Sequence, residues 1–248
     1  MTNRDTALTF AKGLDVLACF ETGRGDLTMA DIARLTGLDR ATARRLCLTL
    51  ESSGYLYRHG KMLRLTPKIL AVGGGYLTAQ HIGRLIQPTL NQFAEELNGE
   101  IALAVRDGAR AIYIARSAVA SARLSLGFSV GSTLPLLPTA IGRMLLASCT
   151  PKDRDQILNT CEWTRFTAAT DMDRASIRTK IEDAATQGFS YVINEFEMGA
   201  AGVAVPIAPI SGAETVLATS ASANSLARPD QMDHVLDVLR RAAMRLRD

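Results

Sequence analysis

Residues 26–66 constrain the fold of this chain more than any other segment. Two short helical patterns lie here, separated by Gly37, and a hairpin pattern follows them. Thr28 and Asp39 are residue types that cap helix N-termini, and Gly37 suits the left-handed turn that ends a helix sharply. Two helices joined in this way, followed by a small hairpin, predict a winged helix-turn-helix that binds duplex DNA.

The second helix of this pair has a basic side. Ala43, Leu46 and Leu50 recur at helical spacing and predict its buried face. The other side carries residue types that reach base edges and phosphates in the major groove, and the hairpin tip is also basic. The alternative is an ordinary helical hairpin with a solvated basic face. The predicted DNA-binding residues are Thr28, Arg40, Thr42, Arg44, Arg45, Arg58 and Lys61.

The distribution of charge agrees with DNA binding by the N-terminal part alone. Residues 1–80 carry 11 Lys and Arg against 7 Asp and Glu, whereas residues 81–248 carry 17 against 18. A basic small module and a near-neutral large one imply that only the first meets a polyanion. The hydrophobic content of 47% is enough for a real core, and 248 residues suggest one large domain or two modest ones.

Cysteine and histidine usage predicts no metal and no other cofactor. The four cysteines form no CxxC pair, and the three histidines are far apart in sequence. Cys19 and Cys47 fall at apolar helix positions and are expected to be buried small side chains. No signal peptide or apolar run near the ~20 residues of a membrane span is visible, so we expect a cytoplasmic protein with reduced thiols.

A linker helix is predicted between two domains. Residues 67–80 read as a helix that contains Gly73, Gly74 and Gly75, which cost roughly 2–3 kcal/mol against alanine and make a weak point. An irregular linker is the alternative. The predicted division is residues 1–66, with a first helix before the pair, then the linker 67–80, then a domain at 81–248. An apolar face of the linker is a candidate dimer seam, formed by Ile69, Leu70, Val72 and Leu77.

The C-terminal domain predicts an α+β fold, an antiparallel sheet flanked by helices. Helices are predicted over 85–97, 138–147, 153–160, 173–187 and 229–246. Strands are predicted at 101–105, 111–115, near 122–128, 191–194, 201–208 and 215–221.

Three blocks in the right order resemble the IclR family of bacterial transcriptional regulators over nearly the whole chain. They are the helix-turn-helix, the segment 131–143 and the segment 188–206. The resemblance implies a GAF-like effector domain that binds a small organic acid, and an N-terminal module that binds operator DNA. It also implies a ligand-responsive regulator rather than an enzyme, either a homodimer or a homotetramer formed from two dimers.

Two departures from the family pattern bear on the pocket. Members often carry Arg-Cys where this chain has Ala201-Gly202, so a side chain that lines the pocket in some members is absent. That loss implies an enlarged or reshaped cavity. Members often have Gly-Lys where this chain has Gly142-Arg143, a variant similar to members that control aromatic-acid catabolism.

The resemblance and local chemistry together indicate an effector site. The amides of Ala140 and Ile141 would begin a helix and suit a carboxylate. Ser220 and Ser222 alternate on one predicted strand, although an ordinary strand of small residues explains them too. Arg123 either pairs with the acid or is a solvated charge. The predicted effector-binding residues are Arg123, Leu126, Leu136, Ala140, Ile141, Asn194, Glu195, Gly202, Ser220 and Ser222.

Two other functions remain open at this point. Residues 127–131 match the G-x-S-x-G pattern of serine hydrolases, but the glycine and proline residues that follow Ser129 do not continue the helix that a nucleophile elbow needs. A DNA-binding protein without a ligand leaves the large second domain without a role.

Overall fold

A computed structural model describes residues 6–21, 25–120 and 127–246 of the chain. The chain divides into two compact units, residues 1–76 and 77–248. The division falls inside a helix, α4 (Lys68–Ala79), which occupies the segment predicted as a linker helix. No helix within the described residues is long and apolar enough to cross a membrane.

The N-terminal unit is a winged helix-turn-helix, as predicted. Its buried core contains Val16, Ile32, Leu46, Cys47 and Leu63. The predicted hairpin is present, and a short strand before the second helix pairs with it, which the sequence analysis missed. The elements are α1 (Leu8–Ala18), β1 (Leu27–Thr28), α2 (Met29–Thr36), α3 (Arg40–Ser52), β2 (Leu56–His59) and β3 (Met62–Leu65).

The C-terminal unit is the α+β domain that the sequence predicts. Its helices are α5 (Gln87–Leu97), α6 (Ala140–Ala147), α7 (Pro151–Thr160), α8 (Arg174–Gln187), α9 (Ala223–Leu226) and α10 (Pro229–Arg245). Its strands are β4 (Glu100–Asp107), β5 (Arg110–Ala118), β6 (Thr133–Pro135), β7 (Ser190–Ile193), β8 (Ala200–Ile210) and β9 (Ala213–Ser222). A π-helical turn at Ile82–Ile86 precedes α5.

The strands of this unit form an antiparallel sheet in the order β6-β5-β4-β9-β8-β7 within the described residues. Side chains alternate between the two faces, as strand geometry requires. One face packs under α6, α7 and α8 through residues such as Ala102, Ala204 and Ala218. The other packs against α5 and α10 through residues such as Leu103, Val203 and Leu217.

Three short features differ from the sequence expectations. Strand β6 and helix α9 were not predicted, because three or four residues carry no readable periodicity. Most of the strand predicted near 122–128 lies outside the described residues, and Gly127 and Phe128 belong to no strand.

Candidate functional site

The helix pair of the N-terminal unit begins and turns through local hydrogen bonds. Thr28 Oγ1 accepts from the amide of Asp31, and the Asp31 carboxylate accepts from the Thr28 amide, which completes a capping box. The Thr28 hydroxyl bond is the main reason why the pKa of Asp31 falls to about 2. Gly37 ends α2 with φ of 68°. Asp39 then accepts from the Thr42 amide and fixes the start of α3.

The cations predicted on α3 are exposed and make no ion pair with the described part of the chain. Arg40, Arg44 and Arg45 are solvent-accessible and form no salt bridge with any residue in the described ranges. Ala43 and Leu46 of the same helix are buried, as predicted. Helix α3 therefore presents a row of uncompensated positive charge to solvent, which is what binding to a polyanion requires.

Two other predicted DNA contacts are already engaged within the unit. Arg58 makes a two-point ion pair with Glu51, from Nε at 2.9 Å and from Nη2 at 2.6 Å. The Thr42 hydroxyl donates to Asp39 at 2.7 Å. Lys61 remains exposed at the hairpin tip. Arg58 therefore braces the hairpin against α3, an interaction that a phosphate contact would have to replace.

A cavity lies between the sheet of the C-terminal unit and the first turn of α6. It is open to solvent, and about 570 Å³ of space, including solvent at its mouth, is free of protein atoms. Small residues on three neighbouring strands form its floor, namely Ala102, Ala218 and Gly202. A Cβ at Gly202 would lie 3.4 Å from the Ala140 Cβ, so the bare glycine lets α6 approach the sheet and keeps the floor open.

Aromatic rings form the walls of this cavity. Tyr113 stacks on Phe128 with ring centroids 5.7 Å apart, and Phe128 lies 6.1 Å from Phe196. Phe166 backs Phe196 from outside the cavity at 5.0 Å. Such a set of rings suits a flat apolar ligand, because aromatic pairs favour stacked and tilted contacts at these separations.

A β-bulge brings Tyr113 and Arg116 to the same face of the sheet. Ala104 pairs with Tyr113, but Leu103 pairs with Ala115, so Ile114 is an extra residue in β5. In a regular strand, positions three apart would point to opposite faces. Because of the bulge, Arg116 reaches the cavity side, where its Nη2 donates to Glu100 Oε2 at 2.5 Å.

The start of α6 faces the cavity with free backbone donors. Thr139 Oγ1 accepts from the Gly142 amide at 3.0 Å and caps the helix. The amides of Ala140 and Ile141 have no hydrogen-bond acceptor among the described residues, and both residues line the cavity. Two unbonded donors at the positive end of a helix suit a carboxylate.

Glu195 lines the cavity, but its charge is already neutralised. Its Oε2 accepts from Arg143 Nη2 at 2.6 Å and from the Asp171 amide at 2.9 Å. Both members of the ion pair are buried, and Arg143 Nε also donates to the Leu137 carbonyl at 2.7 Å. Glu195 therefore anchors the loop that follows β7 to α6 rather than setting the polarity of the cavity rim.

Asn194 shapes the same loop. It adopts a left-handed conformation, with φ of 61°. Its side-chain oxygen accepts from the Gly199 amide, and its carbonyl accepts from Thr167. The side-chain amide of Asn194 remains near the cavity, which this residue also lines.

The remaining predicted effector residues divide into three groups. Ser220 lines the cavity opposite Gly202. Ser222, two positions further along β9, is not among the residues that line the cavity, and its hydroxyl accepts from the Ser225 amide and caps α9. Leu136 is buried beneath α6 and does not line the cavity. Arg123 and Leu126 lie outside the described residues.

Ala201 and Gly202, where the chain departs from the family pattern, both line the cavity, but their side-chain positions lie on opposite faces of the sheet. The Ala201 side chain packs in the cluster under α5 and α10, on the opposite face of the sheet. Gly202 is thus the position where a side chain would enter the cavity, because its partner Ser220 faces it.

Sequence reasoning missed the residues that give the cavity its chemistry. Glu100, Tyr113, Phe128 and Phe196 all line it, yet they are far apart in sequence. Only the aromatic character of three of them was a signal, and it did not distinguish a wall from an ordinary core. The bulge that directs Tyr113 has no composition signature in β5.

The hydrolase reading does not agree with the local backbone. Gly131 turns with φ of 90°, and β6 follows it rather than a helix. Residues 127–131 therefore do not form a nucleophile elbow. No cluster of metal-ligating residues occurs within the described parts of the chain. Burial raises the pKa of Cys47, Cys149 and Cys161 to about 11, as expected of inert core thiols.

Comparisons with known proteins agree with this architecture. Residues 9–60 match the IclR helix-turn-helix domain, and residues 74–247 match the family described as bacterial transcriptional regulator IclR C-terminal. The chain is similar to the Pca regulon regulatory protein of Pseudomonas putida, with 33% identity over 208 residues, 84% of this chain and 72% of that protein. It is also similar to the p-hydroxybenzoate hydroxylase transcriptional activator of Acinetobacter baylyi, with 27% identity over 96% of this chain and 90% of that protein.

A solved structure shares the whole architecture. The IclR family transcriptional regulator from Brucella abortus superposes with a TM-score of 0.84 at 25% identity, over 99% of this chain and 93% of that one. The two family matches together span both units and cover most of the sequence. The chain therefore belongs to the IclR family of bacterial transcriptional regulators.

Proposed function

We propose that this regulator binds a small aromatic acid in the cavity beneath α6, and that the bound acid changes its affinity for operator DNA in the cytoplasm. The main support is that one cavity has aromatic walls and also contains a helix N-terminus with two unbonded amides. The ring would stack among Tyr113, Phe128 and Phe196. The similarity to a p-hydroxybenzoate hydroxylase activator supports a role in aromatic catabolism.

The carboxylate of the acid is proposed to bind at the first turn of α6. The amides of Ala140 and Ile141 would donate to it, and the Ser220 hydroxyl would lie beside it. A backbone donor pair at a helix N-terminus favours an anion without adding a mobile cation to the site. Asn194 contributes at the rim through its side-chain amide, whereas Glu195 acts only through the loop that it anchors.

In the DNA-binding unit, α3 is proposed to enter the major groove. Arg40, Thr42 and Arg44 would read bases, as residues near the start of a recognition helix do. Arg45 and Lys61 would hold phosphates, Thr28 would contribute through its place at the start of α2, and Arg58 would reach a phosphate only by leaving Glu51. The free charges on α3 support this assignment.

A homodimer is proposed, because one winged module covers only one half-site. Leu70 and Val72 of α4 are 73% and 61% exposed, so apolar side chains of this helix are open for a second copy. Ile69 is half-buried beside them. Leu77 packs against the cluster of the C-terminal unit and is a weaker member of the seam than the sequence suggested. Two such dimers are proposed to pair into a homotetramer, as the family resemblance implies. The proposed domains are a DNA-binding domain at residues 1–66, a linker at 67–80 and an effector-binding domain at 81–248.

Calorimetry with matched acids tests the ligand class. Benzoate and cyclohexanecarboxylate carry the same charge and similar bulk, but only benzoate has an aromatic ring. We expect benzoate to bind more tightly, and Phe196→Ala to reduce that preference. Phe10→Ala is the matched control, because Phe10 is exposed in the other unit. Equal binding of the two acids, or preferential binding of the saturated one, would contradict the aromatic assignment.

The coupling to DNA is tested with the full chain. Fluorescence anisotropy of operator fragments taken from DNA beside the gene would be measured with and without the acid. We expect the bound acid to change operator affinity by about 5- to 150-fold, the usual range of allosteric coupling. An operator affinity that stays constant while calorimetry shows the acid bound would overturn the regulatory part of the proposal.

A further inference from the structure

Glu100 lies within the proposed pocket, and only one of its two carboxylate oxygens accepts a hydrogen bond from the described residues. Glu100 is 4% exposed and lines the cavity. Its Oε2 accepts from Arg116 Nη2 at 2.5 Å. Its other oxygen, Oε1, accepts no hydrogen bond from any residue in the described ranges. A buried carboxylate with one satisfied oxygen favours a donor on the remaining one.

The backbone of Glu100 is held in place, so the side chain is positioned rather than adaptable. Thr219 Oγ1 donates to the Glu100 carbonyl at 2.5 Å. Glu100 also pairs with Ala118 at the end of β5. The ion pair with Arg116 neutralises its charge without occupying both oxygens. Such an arrangement keeps a strong acceptor at one fixed point of the cavity wall.

The sheet register gives the separation between Glu100 and the carboxylate seat. Ser220 pairs with Gly202, which lies under Ala140 of α6. Ala102 pairs with Ala218, and the same antiparallel register places Glu100 level with Ser220. Glu100 is therefore two strands away from Gly202, roughly 9–10 Å. A benzene ring that carries a carboxylate and a polar substituent, with a hydrogen bond at each end, fits this span.

Tyr113 adds a second unused polar group near Glu100. Its hydroxyl forms no hydrogen bond with any residue that the structure describes, and its ring lines the cavity. Burial raises the pKa of Tyr113, and the charge of Glu100 raises it further, so the hydroxyl stays protonated and can donate. A ligand hydroxyl can donate to a carboxylate and accept from a phenol at once, whereas a bare ring or a halogen cannot donate.

We propose that Glu100 selects aromatic acids that carry a ring hydroxyl, by accepting a hydrogen bond from that hydroxyl on Oε1 while Tyr113 donates to it. This inference rests on the proposed binding of an aromatic acid and adds the residue that sets its specificity. A site built around a buried acceptor discriminates strongly against an analogue without the donor, because the acceptor is then left unpaired.

The first test uses the unmodified full-length protein and calorimetry. The three monohydroxybenzoates are compared with benzoate and with the fluorobenzoates, which place a small substituent without a donor at the same ring positions. We expect the best hydroxybenzoate to bind about tenfold or more tightly than the fluorobenzoate of the same position, as for a hydrogen bond to a charged group. Equal affinities would overturn the role of Glu100, even if the aromatic acids all bind.

The second test asks whether Glu100 carries the preference. Glu100→Gln should lower the ratio of the hydroxybenzoate and fluorobenzoate affinities at least threefold. Glu214→Gln is the matched control, because it removes a carboxylate of the same sheet that pairs with Arg106 outside the cavity. A purely structural role of Glu100 would weaken both ligands alike and leave the ratio unchanged, which would also overturn the inference.

The outcomes separate the two proposals. Binding of benzoate and fluorobenzoate without a hydroxyl preference rejects only the specificity of Glu100. Absence of binding by every benzoate rejects the aromatic ligand class and this inference together. If Glu100→Gln does not fold, equal affinities of hydroxybenzoate and fluorobenzoate for the unmodified protein still overturn the inference.

Discussion

Arginine side chains have opposite roles in the two units of this protein. On α3, Arg40, Arg44 and Arg45 are exposed and have no ion-pair partner among the described residues. Around the cavity, Arg143 and Arg116 pair with Glu195 and Glu100. The first set leaves its charge open to a polyanion, and the second compensates the charge of carboxylates that lie out of water.

The difference shows that the location of a charge, rather than its residue type, decides what it contributes. An exposed cation on a DNA-binding surface stabilises the fold little, because water and salt screen it. Removing a buried cation beside a carboxylate destabilises the fold, since it leaves an uncompensated charge. Variants of the two sets should therefore affect different measurements.

The largest expected effect concerns Arg143. Arg143→Met should lower the free energy of unfolding of the C-terminal unit by about 3 kcal/mol, because it leaves the buried Glu195 carboxylate with only weaker partners. Urea denaturation measures this loss. The control Arg178→Met breaks an exposed pair with Asp155 and should cost less than about 1 kcal/mol. Similar losses for both variants would contradict the distinction between buried and exposed pairs.

A second comparison uses glycines of the two regions. A Cβ at Gly142 would lie 2.1 Å from the Leu136 carbonyl oxygen, so Gly142→Ala must displace the first turn of α6. We expect a loss of roughly 1–3 kcal/mol in the same denaturation experiment. Gly74→Ala meets nothing within 4 Å and should instead stabilise α4 by about 1 kcal/mol. A neutral Gly142→Ala would show that α6 is free to move away from the 135–137 segment.

The exposed cations should alter DNA binding without altering stability. Arg44→Ala should weaken operator binding by roughly 1–3 kcal/mol and relax specificity at one base position. Lys61→Ala should weaken all sequences alike and lower the slope of log affinity against log salt by about one unit. Binding titrations at several salt concentrations measure both. Identical salt slopes together with identical specificity in the two variants would exclude this division of roles.

The smallest expected effect concerns the three glycines of helix α4. Replacing Gly73, Gly74 and Gly75 with Ala should stiffen α4, where all three face open space. The change should leave acid binding intact but alter the ratio of operator affinities with and without acid, within the usual 1–3 kcal/mol of allosteric coupling. If that ratio is the same in the triple variant and in the parent protein, these glycines do not act as a hinge.

The helix-turn-helix was readable from the sequence because its information is local. Caps at Thr28 and Asp39, a turn at Gly37 and a basic helix all lie within residues 28–52 of the chain. The alternating strands and amphipathic helices of the second unit were also predicted for this reason. A pattern formed by residues that are close in sequence can be recognised without knowing the tertiary structure.

The cavity was predictable only in part, because its residues meet through the sheet. The start of α6 and Gly202 were reached through the family resemblance, and the structure places them together. Glu100 and Tyr113 were missed, since their place in the cavity depends on strand order and on a bulge. The cap that Ser222 forms for α9 was not foreseen either, because that helix is only four residues long and begins directly after β9.

The bulge at Ile114 also makes the ligand preference sensitive to chain length. Deleting this one residue would restore a regular β5, and every side chain on one side of the deletion would exchange faces. Arg116 would then turn into the apolar layer, and Glu100 would lose its counter-charge without any substitution in the pocket. Among relatives, a gap of one position in this strand would thus mark a change of effector even where the surrounding residues are identical.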